Sequence, residues 1–135
     1  MKVADSSVAV AAFSEWHPSH SDAHRALIGG EVGIVSHAAF ETYSVLTRLR
    51  EPHTMSAEVV WTWLDDTFAD RWLGLPAGAQ RLALGRLQSL GIAGGATYDG
   101  LIAVTAAGSG ATLVTLDRRA LPIYQRVGAA YELVV

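Results

Sequence analysis

The amino-acid sequence predicts a single α/β domain: a central, mainly parallel sheet with helices on both faces. Three observations lead there. Short apolar segments rich in β-branched residues alternate with longer segments of helical periodicity, the pattern of βαβ units. No linker, repeat or low-complexity tract interrupts the 135 residues, so residues 1–135 read as one domain, long enough for a sizeable core. Half the residues are hydrophobic and 17% are charged, too apolar a balance for a disordered chain.

Taken in order, Lys2-Val3-Ala4 reads as a short buried strand, followed by an apolar helical pattern through Phe13. His20–Ile28 reads as a second helix, closed by Gly29-Gly30. Val32–Val35 is expected as the second strand, with Ser36 capping a helix that ends near Arg50, ahead of Pro52. Residues 56–68 are helical, with Val59, Val60, Trp63 and Leu64 on one side. Residues 71–75 are expected as an edge strand. Residues 77–90 carry Leu82, Leu84, Leu87 and Leu90 at broadly helical spacing and stop at Gly91. Residues 97–107 form a helix that is apolar nearly all round, as a central buried helix should be, stopped by Gly108-Ser109-Gly110. Residues 112–116 and 131–135 supply the last two strands.

Composition narrows the function classes. With no cysteine, disulfides and thiolate metal sites are excluded together. No apolar stretch reaches the ~18 residues that cross a bilayer. Asp5 stands where a signal peptide keeps its apolar region, so a cytoplasmic protein without a membrane partner is expected. The net charge of −3 argues against holding nucleic acid by bulk electrostatics. Nucleic-acid chemistry here would need local positive groups and bound cations. The only lysine is Lys2; the other positive residues are arginines.

Four acids stand out. Asp22, Glu31, Glu51, Glu58, Asp65, Asp66 and Asp70 fall on polar helix faces or in turns, as solvated charges do. Asp5 instead directly follows the first strand, and Asp117 follows Leu113-Val114-Thr115-Leu116. If those strands are parallel, both acids stand at the carboxyl rim, where open α/β sheets collect ligands. Glu41 projects from the edge of an apolar helical stripe, and Asp99 occupies the first turn of the most apolar helix. Singly, each has an ordinary explanation in helix capping, dipole stabilisation or strand-end turns. Jointly they would need four separate solutions to desolvation, which costs several kcal/mol per unpaired buried carboxylate. One divalent cation serves all four, and all-oxygen ligation suits Mg²⁺ or Mn²⁺. A metal held through few carboxylates and several waters suits phosphodiester hydrolysis.

These residues carry a family resemblance. Val3-Ala4-Asp5-Ser6-Ser7-Val8, Glu41 in the helix after the second strand, Thr97-Tyr98-Asp99-Gly100-Leu101-Ile102-Ala103-Val104 and Leu113-Val114-Thr115-Leu116-Asp117-Arg118-Arg119 together resemble a PIN-domain nuclease of the VapC toxin group. The resemblance spans nearly the whole chain. It implies a three-layer α/β/α fold, Mg²⁺-dependent endoribonuclease activity with Mn²⁺ able to substitute, and a catalytic and metal-binding set of Asp5, Glu41, Asp99 and Asp117. It also implies a homodimer and inhibition by a cognate VapB-type antitoxin. Ser6 and Thr115 match hydroxyl positions of the motifs, and Arg118 and Arg119, following Asp117, are the expected RNA contacts. Gly100 stands where the family commonly has alanine, which is expected to loosen the first turn of its helix.

Other readings fit less well. A response-regulator receiver needs a strand-end lysine, and a haloacid-dehalogenase-like phosphatase needs an Asp-x-Asp pair; Asp5 is followed by Ser6-Ser7. His17, His20 and His24 suggest zinc but lack the glutamate of His-Glu-x-x-His and read as an exposed helix start. Gly91, Gly94 and Gly95 lack the Gly-Lys-Ser/Thr ending of a phosphate loop and read as a turn. The remaining alternative is a catalytically silent PIN-like module that only binds RNA or protein.

Overall fold

A computed structural model describes every residue except Gly30. The strands are β1 (Lys2–Ala4), β2 (Val32–Val35), β3 (Trp72–Leu73), β4 (Thr112–Thr115) and β5 (Ala130–Leu133). The helices are α1 (Ser6–Phe13), α2 (His20–Ile28), α3 (Ser36–Thr47), α4 (Ala57–Phe68), α5 (Ala77–Ser89), α6 (Ala96–Gly108) and α7 (Leu121–Val127). The five strands form one sheet in the order β3-β2-β1-β4-β5, and every pairing is parallel. The expected mainly parallel sheet is thus parallel throughout.

Strand order sets where the helices lie. From β1 the chain steps outward to β2 and β3, then returns past β1 to add β4 and β5 on the other side. With right-handed crossovers this places α1–α4 on one face and α5–α7 on the other. The packing agrees: α1 contacts α2 and α3, α3 contacts α4, and α6 contacts α5 and α7. Both faces are covered, so β2 is buried along its whole length and Val3 and Ala4 of β1 are fully buried. The reversal of direction falls between β1 and β4, which makes their carboxyl ends the switch point of the sheet.

Several boundaries differ from the sequence reading, for local reasons. Ser36 is the first residue of α3, not its cap; Val35 occupies the cap position with no side-chain bond, and the helix ends at Thr47. Ser56 does cap α4, its hydroxyl accepting from Val59 N. Leu82 and Leu84 are exposed (69% and 62%); α5 packs instead through Ala83 and Leu87, four residues apart on one face. Val59 likewise faces outward while Val60 and Leu64 are buried. The edge strand shrinks to Trp72–Leu73, and the last strand starts one residue earlier than expected. Gly29 caps α2, while Gly30 of the expected stop lies outside the described residues. Residues 118–127, unassigned by periodicity, form a 3₁₀ turn (Arg118–Ala120) and α7.

Two glycines are fixed by packing. Gly100 allows Leu87 to lie against α6, since a Cβ there would come within 2.8 Å of Leu87 Cδ2. Close helix packing thus gives a reason for glycine at this position. Gly33 in β2 lies under the Arg71 carbonyl, which accepts from Ile34 N at 2.9 Å and starts the β2–β3 pairing. A Cβ at Gly33 would stand 2.4 Å from that oxygen. Gly33→Ala should therefore destabilise the fold by about 1–3 kcal/mol, the usual scale of overpacking. A urea melt checks this; an unchanged midpoint would show that the β3 edge shifts freely.

Candidate active site

The parallel β1–β4 pairing aligns Ala4 with Val114, so Asp5 and Asp117 emerge at one rim of the sheet. Asp5 ends β1 and caps α1. Its Oδ1 accepts from Ser7 N at 3.0 Å, Val8 N at 3.3 Å and Ser7 Oγ at 2.5 Å. Its Oδ2 accepts from the Tyr124 hydroxyl at 2.8 Å. The residue is only 3% exposed. Burial raises its pKa, opposed by the bonds from Ser7, Thr115, Tyr124 and Val8. Tyr124 is buried too, and burial plus the neighbouring Asp5 charge pushes its phenol far above the ordinary range. It therefore stays a hydrogen-bond donor at any working pH.

Ser7 ties the two strand ends together. Its hydroxyl accepts from Leu116 N at 2.8 Å and lies 3.4 Å from Thr115 Oγ1, which in turn accepts from Asp117 N at 3.0 Å. Thr115 thus stands where the motif placed it, while the residue linking Asp5 to β4 is Ser7 rather than Ser6. Ser6 lies toward Glu41, whose acidity it favours. Asp117 caps the 3₁₀ turn, with Oδ1 accepting from Arg119 N at 3.0 Å and lying 3.5 Å from Arg119 Nε. The Arg119 side chain is otherwise in solvent (93% exposed).

Glu41 and Asp99 reach the rim from α3 and α6, helices that touch each other. Glu41 Oε1 is buried with no hydrogen-bond partner, and Oε2 lies 3.8 Å from His37 Nε2. Burial raises the Glu41 pKa; His37 lowers it and the charges of Asp99 and Asp5 raise it further. Burial likewise raises the Asp99 pKa, reinforced by Asp117 and Asp5 and opposed by Arg119. Asp99 thus lies within electrostatic reach of Glu41, Asp5 and Asp117, and Glu41 within reach of Asp99 and Asp5. They do not stand at ligand spacing: among the described residues no three or more His, Asp or Glu side chains form a metal-binding group. Glu41 borders one cavity and Asp117 another.

The donor set suits a hard divalent cation. It is all oxygen, it includes a buried carboxylate oxygen with nothing to bind, and Arg119 beside Asp117 points into solvent. His20 is accounted for otherwise, with Nδ1 2.9 Å from the Ala11 carbonyl, and His17 Nδ1 accepts from Ser19 N. The sequence reading passed over Tyr124, Ser7 and His37. Pro122 at the start and Gly128 at the end of α7 were a usable signal for the helix that carries Tyr124.

The three raised carboxyl pKa values make the fold's stability pH-dependent. The folded chain holds protons more tightly than the unfolded one, so stability falls as pH rises above the ordinary values of 3.8 for Asp and 4.5 for Glu. Metal-free protein should melt at a lower temperature near pH ~7.5 than near pH ~5. Asp99→Asn should raise the metal-free melting temperature at neutral pH and flatten that slope. A steeper slope in the variant would contradict the repulsion. Tyr124→Phe strips Asp5 Oδ2 of its donor and should cost about 1.5–3 kcal/mol at neutral pH, read by denaturant melts; a cost below ~0.5 kcal/mol would mean water replaces the phenol.

Comparison with known proteins agrees with this architecture. The sequence matches the PIN domain family over residues 2–127. Ribonuclease VapC40 of Mycobacterium tuberculosis is 45% identical over 130 residues, 96% of each chain. Ribonuclease VapC27 of the same organism is 35% identical, covering 92% of this chain and 90% of its own. Among solved structures, a chain of FitAB bound to an IR36 DNA fragment matches with TM-score 0.71 at 17% identity, covering 98% of this chain and 94% of that one. A chain of VapBC2 from Rickettsia felis, bound to a DNA fragment from their promoter, matches with TM-score 0.67 at 17% identity, covering 98% and 97%. At those identities the structures speak for the fold alone. Spanning nearly the whole sequence, these matches place the chain in the PIN-domain family and, within it, in the VapC group.

Proposed function

We propose that the chain is a divalent-metal-dependent endoribonuclease, the toxin of a toxin–antitoxin pair. The observation that carries the reading is the buried, partnerless Glu41 Oε1, within electrostatic reach of the Asp99 and Asp5 carboxylates. Likeness to two named ribonucleases supplies the substrate class. Asp5, Glu41, Asp99 and Asp117 would hold Mg²⁺ or Mn²⁺, which acidifies a water and offsets phosphate charge when bound. Asp5 is the fixed point of the set, because Ser7, Val8 and Tyr124 leave its carboxylate one orientation. Tyr124 stabilises that charge without consuming all the lone pairs. Arg118 and Arg119, at the start of the turn beyond Asp117, would meet the RNA backbone.

A VapB-type antitoxin is the expected partner, and a homodimer the expected assembly. Phe40, Tyr43 and Trp61 leave apolar surface on α3 and α4, around a cavity of about 280 Å³. Such a patch marks an interaction surface. Among the described residues no helix is long and apolar enough to cross a membrane.

Asp5→Asn and Asp99→Asn should each lower RNA cleavage by about a thousandfold or more, since loss of a metal ligand removes several kcal/mol at ~1.4 kcal/mol per tenfold. Cleavage-site mapping by RNA sequencing, wild type against Asp5→Asn, reads the outcome. Cuts that persist in the variant would overturn the assignment. Mn²⁺ titration separates this reading from a silent binding module, which would bind no metal at the rim. Analytical ultracentrifugation at micromolar concentration should show a dimer; a strict monomer would contradict that part.

A further inference from the structure

The acidic rim has a neighbour that metal binding does not use. His37 lies one turn before Glu41 on α3, and Tyr98 immediately precedes Asp99 on α6. Their rings stack almost parallel, with centroids 5.1 Å apart and planes 4° apart. This is the offset arrangement aromatic pairs favour. With His37 on one face, the Tyr98 side chain is still 54% exposed. A cavity of about 350 Å³ opens beside the pair, bounded at its charged ends by Glu41 and Arg48, with Ser44 and Val45 between. Among the described residues Arg48 makes no ion pair.

The geometry points to a nucleobase subsite: Tyr98, backed by His37, stacks one unpaired base of the RNA strand beside the cleavage centre, with Arg48 toward the adjoining phosphate. This rests on the ribonuclease reading above and adds to it a position that holds one base. A flat, partly exposed ring held by a second ring needs little ordering to receive a base. A base inside a duplex cannot reach it, so the substrate must be single-stranded or looped at this point, where protein aromatics and histidines generally stack RNA bases. A neutral, flat base suits the exposed ring face, and the one cation of the cavity lining, Arg48, is left for a phosphate. A protein partner is better served by the apolar cavity around Phe40, Tyr43 and Trp61, where no charged group intrudes.

Three variants test the subsite: Tyr98→Ala, Tyr98→Phe, which keeps the ring, and His37→Ala. The probe is a short fluorescein-labelled RNA of mixed sequence, single-stranded or annealed to its complement, followed by anisotropy. Wild type should prefer the single strand. Tyr98→Ala should weaken that binding roughly 5- to 150-fold, the range for loss of one base stack, with little effect on the duplex. His37→Ala should weaken it less, and Tyr98→Phe should stay close to wild type. In cleavage assays Tyr98→Ala should raise KM far more than it lowers kcat. Circular dichroism melts show whether each variant folds. Folded Tyr98→Ala that binds single-stranded RNA like wild type overturns the subsite and leaves the ribonuclease reading intact. Ring-dependent binding by a wild type that cleaves no RNA supports the subsite and overturns the ribonuclease reading.

Discussion

The structure depends on where one carboxylate is buried. Asp5 ends the central strand at the point where the sheet changes direction, and four donors from α1 and α7 hold it there. A charge in that position is costly unless something satisfies it. The protein meets the cost partly with hydrogen bonds and then adds further acids at the same rim, which raises it again. Packing alone would not select such a cluster. The proposed cation would offset that charge.

The fold serves this arrangement. A parallel sheet covered on both faces concentrates strand ends at one rim, and short strands suffice because the helices hold the core. The apolar α6 carries Asp99 to the rim in its first turn, where the helix dipole favours an anion. Packing of α3 against α6 brings Glu41 within range. The Ser7–Thr115 pair locks the ends of β1 and β4 together, so Asp5 and Asp117 share one frame.

Much of this was legible in the sequence, because the signals are local. Acids directly after apolar strands, a helix apolar all round with one aspartate, and alternating periodicity all lie within short windows. What was not legible depends on contacts between distant residues. Tyr124 bonds Asp5 across 119 positions, and its helix is only seven residues long, too short for a clear periodicity. Ser7 rather than Ser6 faces β4, which follows from the direction in which α1 leaves the strand. The misread face of α5 has a similar cause: four leucines suggested a stripe, yet Ala83 and Gly100 set the close approach that buries Leu87. Exposure of Leu82 and Leu84 then follows from helical geometry.

The central claim is that the rim acids form a cation site, and diffraction tests it directly. A crystal grown with Mn²⁺ and measured for anomalous scattering should show a peak among Asp5, Glu41, Asp99 and Asp117, with Glu41 Oε1 no longer without a partner. Protein that cleaves RNA in the same Mn²⁺ solution but shows its anomalous peak elsewhere, or none, would contradict the account.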